Sequence, residues 1–429
     1  MWLLIILGIL ARLWQFGQVP NSLYWDEIAI GLDARALIQT GRDLSGQFWL
    51  QTLFVSYGDF KAPVYIWLVT LLGKLFSVSE IVIRLPSLLA GLGIAWLVYD
   101  LIRLISPKKS RLPLLVLTNL LIMPWAIHFS RIGFESHLSL FWLTLMVWLV
   151  VKNNWLAAVS GVLGIYSYIS LRLIAPLLFL VFAWSKGWKY LAAGLAIIGA
   201  GILLLTNSPN YAVSQQYRLS NDNLITAPIS KIEKGRRFLS NYFDFFEPKF
   251  LLTQGDQNLR HHSGFGGELL LAQGLLVIIG INSANKLMLL WLFLAPTVAA
   301  LVNETPHASR AIYMIVPLAY LAGLGWQKLA KWKLAWLIPL ALGLNLLVYL
   351  HDYFVHYPGR SAMAWIKPYK DAALQSYDTY PVYISPKLYK PELYFAYYLN
   401  DFSLLKSNDK FYYSLPVICP EGAVCVNQF

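Results

Sequence analysis

The sequence predicts an all-α polytopic membrane protein, and three observations carry that prediction. Of its 429 residues 58% are hydrophobic and 13% charged, about half the roughly 25% charge of a soluble domain. Aromatic residues make 15% of the chain, and the mean hydropathy of +0.55 exceeds what one or two soluble cores of ordinary size can hide. The apolar residues also fall into runs near 2–18, 81–102, 112–130, 137–151, 155–171, 173–185, 190–206, 268–282, 286–302, 311–326 and 334–350. A spanning helix needs about 20 mostly apolar residues, so these runs predict about eleven transmembrane helices, several of them short, within a domain over 1–350.

The first run opens Met1-Trp2-Leu3, with no basic stretch before it and no small-residue cleavage site before Arg12. It therefore reads as a retained helix rather than a signal peptide. A long first loop, 19–80, follows. Within it 28–39 has helical spacing, and 63–76 is apolar but too short to span and is interrupted by Lys74; both are expected to lie at the membrane surface. Residues 207–267 form a second long polar loop, too long for a mere connector. The tail, 351–429, repeats Tyr and Pro and is expected to be a small extracytoplasmic α/β unit. If it is outside, Cys419 and Cys425 can pair in oxidising surroundings; two cysteines are too few for a zinc cluster.

The net charge of +12 orients the chain. Arg103, Lys108, Lys109, Arg111, Lys152, Lys186, Lys189, Lys286, Lys328, Lys331 and Lys333 fall in the short gaps after alternate runs, whereas Asp26, Glu27, Asp59, Glu135, Asp256 and Glu304 fall in the other set of loops. Positive residues stay on the cytoplasmic side, so the N-terminus is expected in the cytoplasm, with the long loops and tail outside. The same distribution argues against nucleic-acid binding, which needs a basic face rather than basic gaps.

Chemistry is expected where ionisable residues meet the outer boundary. Tyr24-Trp25-Asp26-Glu27 puts two carboxylates beside aromatic rings; they could cap the surface helix, Asp26 as its N-cap, or act as a general base towards a hydroxyl. In Gly58-Asp59-Phe60-Lys61-Ala62-Pro63 the lysine either snorkels or meets a lipid phosphate near helix N-terminal amides. Arg131 and Glu135, spaced i,i+4, could pair on a surface, although His128 and His137 flank them. Arg172, after Tyr168-Ile169-Ser170-Leu171, and Arg310, in Thr305-Pro306-His307-Ala308-Ser309-Arg310, stand at further outer boundaries, as interfacial anchors or at a cavity rim. In Gly255-Asp256-Gln257-Asn258-Leu259-Arg260-His261-His262, neighbouring histidines point apart and lack an i,i+4 ligand pair, so Asp256 and Arg260 could instead bind sugar hydroxyls. No phosphate-cradling glycine loop and no G-x-S-x-G elbow occurs, which argues against nucleotide hydrolysis and an α/β-hydrolase.

The order of these features resembles the GT-C membrane glycosyltransferases. Within them it is similar to the branch of protein O-mannosyltransferases and the lipid A aminoarabinose transferase (glycosyltransferase family 39 and its bacterial relatives). The carriers are Arg12 in the first helix, Pro20 with Asp26-Glu27, Thr40-Gly41-Arg42-Asp43, Lys61-Ala62-Pro63-Val64-Tyr65 and Ser79-Glu80 with Arg84-Leu85-Pro86-Ser87. The likeness is strong over 1–175, fades to GDQNLRH and PHASR up to about 325, and is not found beyond 350. It implies an enzyme that takes a sugar from a polyprenyl-phosphate donor on the outer face with inversion, and passes it to a lipid, glycan or protein acceptor. Asp26 would then be the general base, Glu27 its neighbour, and Glu135 the second acidic residue, placing the acceptor or a divalent metal. Lys61 would hold the donor phosphate, with Ala62 standing where the family has the first proline. Arg172, Arg310 and Arg84 would be further phosphate partners, and Tyr57, Asp256, Arg260, His261 and Tyr313 would contact substrate. An in-line attack puts base and phosphate on opposite sides of the sugar, so acids and cations are expected at opposite ends of one cavity. The rival class, a transporter or flippase of a lipid-linked saccharide, would show repeated halves with ionisable residues near mid-helix; the charges here gather at the outer boundary.

Overall fold

The computed structural model describes residues 1–56, 59–220, 223–375, 382–384, 390–405, 411–412 and 424–426. Helices come first in the order α1 (Trp2–Leu13), α2 (Trp25–Thr40), then the hairpin strands β1 (Phe54–Ser56) and β2 (Asp59–Lys61), α3 (Pro63–Phe76), α4 (Glu80–Ile105), α5 (Leu112–Ile122), α6 (Pro124–Phe129), α7 (Glu135–Val151), α8 (Leu156–Ile165), α9 (Leu171–Ala183) and α10 (Trp188–Thr206). They continue with α11 (Pro209–Ser220), α12 (Lys231–Asp244), α13 (Leu271–Gly280), α14 (Lys286–Leu294), α15 (Ile315–Leu329) and α16 (Leu337–His351). The tail adds α17 (Tyr357–Arg360), α18 (Lys367–Gln375), β3 (Val382–Ile384), α19 (Glu392–Tyr398), β4 (Phe411–Tyr412) and β5 (Val424–Val426).

Every apolar run of the sequence contains a helix, and among the described residues three helical stretches are each long and apolar enough to cross a bilayer: Glu80–Ile105, Trp188–Thr206 and Leu337–Arg360, of 26, 19 and 24 residues. The others are shorter for local reasons. The run 112–130 breaks into α5 and α6 at Met123, whose backbone is extended (ψ 124°). Pro124 has no N–H to give the preceding turn and pushes the residue before it out of the helical region. Outward faces stay apolar: Trp188 is 74% exposed and Leu204 68%, as lipid contact requires and water would not tolerate over so large an area.

Packing in the bundle uses small residues to bring backbones together. α13 crosses α15 where a Cβ on Gly280 would lie 2.0 Å from the Leu321 carbonyl oxygen, and one on Gly325 1.9 Å from that of Leu276. Where lipid and side chains are equally apolar, such close approach supplies the association energy.

The helix predicted at the tail boundary does not stop at 350: α16 runs on through Asp352–His356 into α17. In the tail β3 lies between β4 and β5, parallel to both. Its helices do not stand apart from the membrane part. Tyr369, Ala373, Leu393, Tyr394 and Phe395 share one apolar core with Leu23, Ile28 and Leu32 of the first loop and Tyr65 and Val69 of α3. The Tyr394 hydroxyl donates to the Leu23 carbonyl (3.2 Å), the Tyr398 hydroxyl to Glu80 (2.7 Å), and Arg35 lies 4.1 Å over the Tyr397 ring. Of the possible Cys419–Cys425 pair, Cys419 lies outside the described residues.

Candidate active site

The first loop builds the acidic corner. α2 begins at Trp25 with Tyr24 as N-cap, so Asp26 and Glu27 occupy its first turn and Asp26 is not the cap. Glu27, the third residue of the helix, accepts the Tyr24 backbone N–H (3.0 Å) and so closes a capping box. Its carboxylate also accepts from Arg84 (2.9 and 3.2 Å) and from the Gly133 N–H (2.7 Å). Asp26, one residue earlier, turns the other way.

Opposite stands Lys61. The antiparallel hairpin pairs Phe54 with Lys61 and Ser56 with Asp59, which places the lysine at the strand end, immediately before the Ala62 N-cap and Pro63 at the first position of α3. Proline suits that position because its missing N–H has no helical partner there. Lys61 Nζ lies 2.5 Å from Asp26 Oδ1; the lysine is 3% exposed, the Asp26 side chain 41%. Burial alone would weaken the ammonium, but Asp26, Glu135 and Asp59 outweigh it and raise its pKa.

Both face a cavity of about 600 Å³ whose wall includes Asp26, Asp59, Lys61, Glu135, Arg172, Arg260, His261, Glu304, His307 and Arg310. Glu135 is the first residue of α7 and Arg172 stands in the first turn of α9. Arg172 lies 5.2 Å from the Tyr211 ring, and Arg260 3.8 Å over Tyr24. Arg310 Nη2 is 3.8 Å from Glu304. Asp256 stands behind this wall, its Oδ2 accepting from His261 Nδ1 (3.1 Å) and from the Ala308 N–H (2.7 Å). Burial would raise the Asp256 carboxyl, but the hydrogen bond and charge of His261, with His307 and the Asn258 N–H, hold it at about 2.

Of the residues singled out in sequence, Asp26, Lys61, Glu135, Arg172, Arg260, His261 and Arg310 therefore meet in one cavity. Others do not. Arg84 is fully buried and spends its donors on Glu27 and on the carbonyls of Gly17, Pro20 and Ser22, so the expected contact with a donor phosphate is corrected to a fastening of the first loop. Glu27, its partner, likewise faces away from the cavity, against its expected place in a catalytic acidic pair. Tyr313 is buried against Ser139 (2.8 Å) and does not line the wall; Tyr57 lies outside the described residues. Arg131 does not pair with Glu135 but donates to the carbonyls of Ala11, Arg12, Gln15 and Val19. Acids and cations are not segregated to opposite ends: Lys61–Asp26 and Arg310–Glu304 are mixed pairs. Sequence reasoning missed His307, Glu304 and Asp59 as wall residues; the PHASR string was the signal for the first.

Gly133 is where the structure is least forgiving. A Cβ there would lie 2.9 Å from Glu27 Oε1 and 3.1 Å from its Cγ, so Gly133→Ala is expected to cost about 1–3 kcal/mol through overpacking, read as a lowered thermal midpoint of the purified protein.

This bundle, with a cavity walled in part by first-loop residues, shares its fold with solved GT-C glycosyltransferases. The chain is similar to ArnT from Cupriavidus metallidurans bound to undecaprenyl phosphate, with a TM-score of 0.61 at 11% identity over 93% of this chain and 83% of that one. It is similar too to the same protein in the apo state, with a TM-score of 0.57 at 11% identity over 92% and 84%. The oligosaccharyltransferase of Archaeoglobus fulgidus in the apo form gives a TM-score of 0.50 at 13% identity, covering 92% of this chain and 63% of its own. No protein-family model matches the sequence, and no curated protein does.

Proposed function

We propose that the chain is an inverting glycosyltransferase that moves a sugar from a polyprenyl-phosphate donor to an acceptor hydroxyl on the outer face of the membrane, its eleven apolar runs forming the membrane domain. The observation that carries this is the Lys61–Asp26 contact at the wall of a cavity shared with Glu135, Arg172 and Arg310. The likeness to a fold solved with undecaprenyl phosphate supports the donor class.

In this reading Asp26 takes the acceptor proton as the acceptor oxygen bonds to the anomeric carbon. The bond from that carbon to the phosphate oxygen breaks, and Lys61, Arg172 and Arg310 meet the charge that grows on the leaving polyprenyl phosphate. Glu135 places the acceptor. The resting ion pair adds a condition: donor phosphate must draw Lys61 away from Asp26, and doing so frees the carboxylate to act as base. All of these groups lie on strand ends, first turns of helices or loops, unlike the mid-helix charges of a transporter.

The test is release of polyprenyl phosphate from a labelled polyprenyl-phosphate sugar by the purified protein, dependent on added acceptor fractions. Mass spectrometry of surface glycans and glycoproteins with and without the protein identifies sugar and acceptor. Absence of acceptor-dependent release overturns the reading. For Lys61→Ala, loss of a charge-assisted bond worth about 1.5–3 kcal/mol predicts a donor KM raised about 10–100-fold; an unchanged KM removes Lys61 from the phosphate site.

A further inference from the structure

Behind the cavity wall, two loops bring together a ligand set that the transfer chemistry above does not use. Asp256 and His261 come from the loop after Gly255, His307 from the loop before α15. One ligand atom from each lies within 4.8 Å of the other two. The His261 and His307 rings stand 4.3 Å apart at 35°. All three residues are more than nine-tenths buried, at 5%, 7% and 7% exposure.

Two details argue that this is more than packing. His307 Nδ1 is buried and has no hydrogen-bond partner among the described residues, an omission that costs about 1–3 kcal/mol when nothing compensates it. Two imidazoles inclined at 35°, with a carboxylate at hydrogen-bonding distance from one of them, put one ligand atom from each residue around a common space. The surroundings fix the ligands as a metal site's outer shell does. Asp256 Oδ1 accepts from the Asn258 N–H (2.8 Å), the Asp256 N–H donates to Glu268 (3.1 Å), and the Ala308 N–H holds Asp256 Oδ2. His261 and His307 both reach the cavity while Asp256 stands behind them.

We propose that Asp256, His261 and His307 form a divalent metal site of the zinc type, with three protein ligands and a fourth position open to the cavity. Two imidazoles and one carboxylate are the donor set of open zinc sites, and nitrogen donors favour zinc and its transition-metal neighbours over magnesium or calcium. An ion here would tie the loop around 256–262 to the loop around 304–310, and so fix Arg260 and Arg310 on either side of it. The site stands whatever sugar chemistry the cavity performs, because its test is binding, not transfer.

The test uses the full chain in detergent, stripped by chelator and titrated with Zn²⁺ against a fluorescent competitor, with metal content measured by mass spectrometry. Wild type is expected to retain one equivalent. His307→Ala and His261→Ala are each expected to weaken binding by more than about 100-fold, beyond what loss of an outer-shell partner alone causes. His351→Ala, which alters the exposed His351–His356 ring pair at 5.2 Å, should change nothing. X-ray absorption of the zinc-loaded wild type should show two imidazole ligands, which settles the matter should the alanine variants misfold. Substoichiometric zinc, wild-type affinity in His307→Ala, loss of binding in His351→Ala, or a zinc spectrum without imidazole each overturns the site and leaves Asp256–His261 as a hydrogen-bonded pair only.

Discussion

Asp26→Asn is expected to leave a folded protein in which the proposed sugar transfer falls by about 10²–10⁴-fold, the usual contribution of a positioned base. The change keeps the shape and removes only the charge, and Asp26 carries none of the loop's structural bonds: its one described partner is Lys61. In the proposed mechanism the same change removes the anion that competes with donor phosphate for that lysine. Asp26→Asn therefore binds a non-hydrolysable donor analogue at least as tightly as wild type, a split between lost turnover and retained affinity that a folding defect does not produce. Full transfer by the variant, checked in reconstituted vesicles, sinks the assignment; weakened analogue binding sinks the competition.

Arg84→Ala behaves in the opposite way. It removes a guanidinium that is fully buried and strips Glu27 of its counter-charge, and breaking one side of a buried pair costs about 3–5 kcal/mol. The carbonyls of Gly17, Pro20 and Ser22 lose their donor as well. The expected outcome is a sharply lowered thermal midpoint or failure to accumulate in membranes, with the surviving fraction showing an unchanged donor KM. A stable variant with a raised donor KM returns Arg84 to the phosphate site.

The contrast between these two residues shows what a sequence can tell. The acid at Asp26 and the cation at Lys61 were legible because local rules placed them: acids in a first helical turn directly after an apolar run, and a lysine just before a helix-starting proline. Arg84 and Arg131 carried the same surface signal, an arginine at a membrane boundary. What decides their role is a set of carbonyls at the end of α1 and in the irregular stretch after it, which a many-donor side chain satisfies. Those partners lie 62–120 residues away from the arginines, and no periodicity records them. His307 was missed for the same reason: its partner His261 lies on another loop. Helix positions were read well and helix ends poorly, as at Met123, because apolar content is a bulk property while a break depends on one proline.

The tail has a consequence that reaches the chemistry. α19 sets Tyr394 against the Leu23 carbonyl, one residue before the cap of the helix that carries Asp26, and Arg35 grips Tyr397 further along that helix. The tail thus works as a buttress for the helix that carries the carboxylate proposed as the base. Variation in the tail is therefore expected to shift the pose of Asp26 without any change inside the cavity.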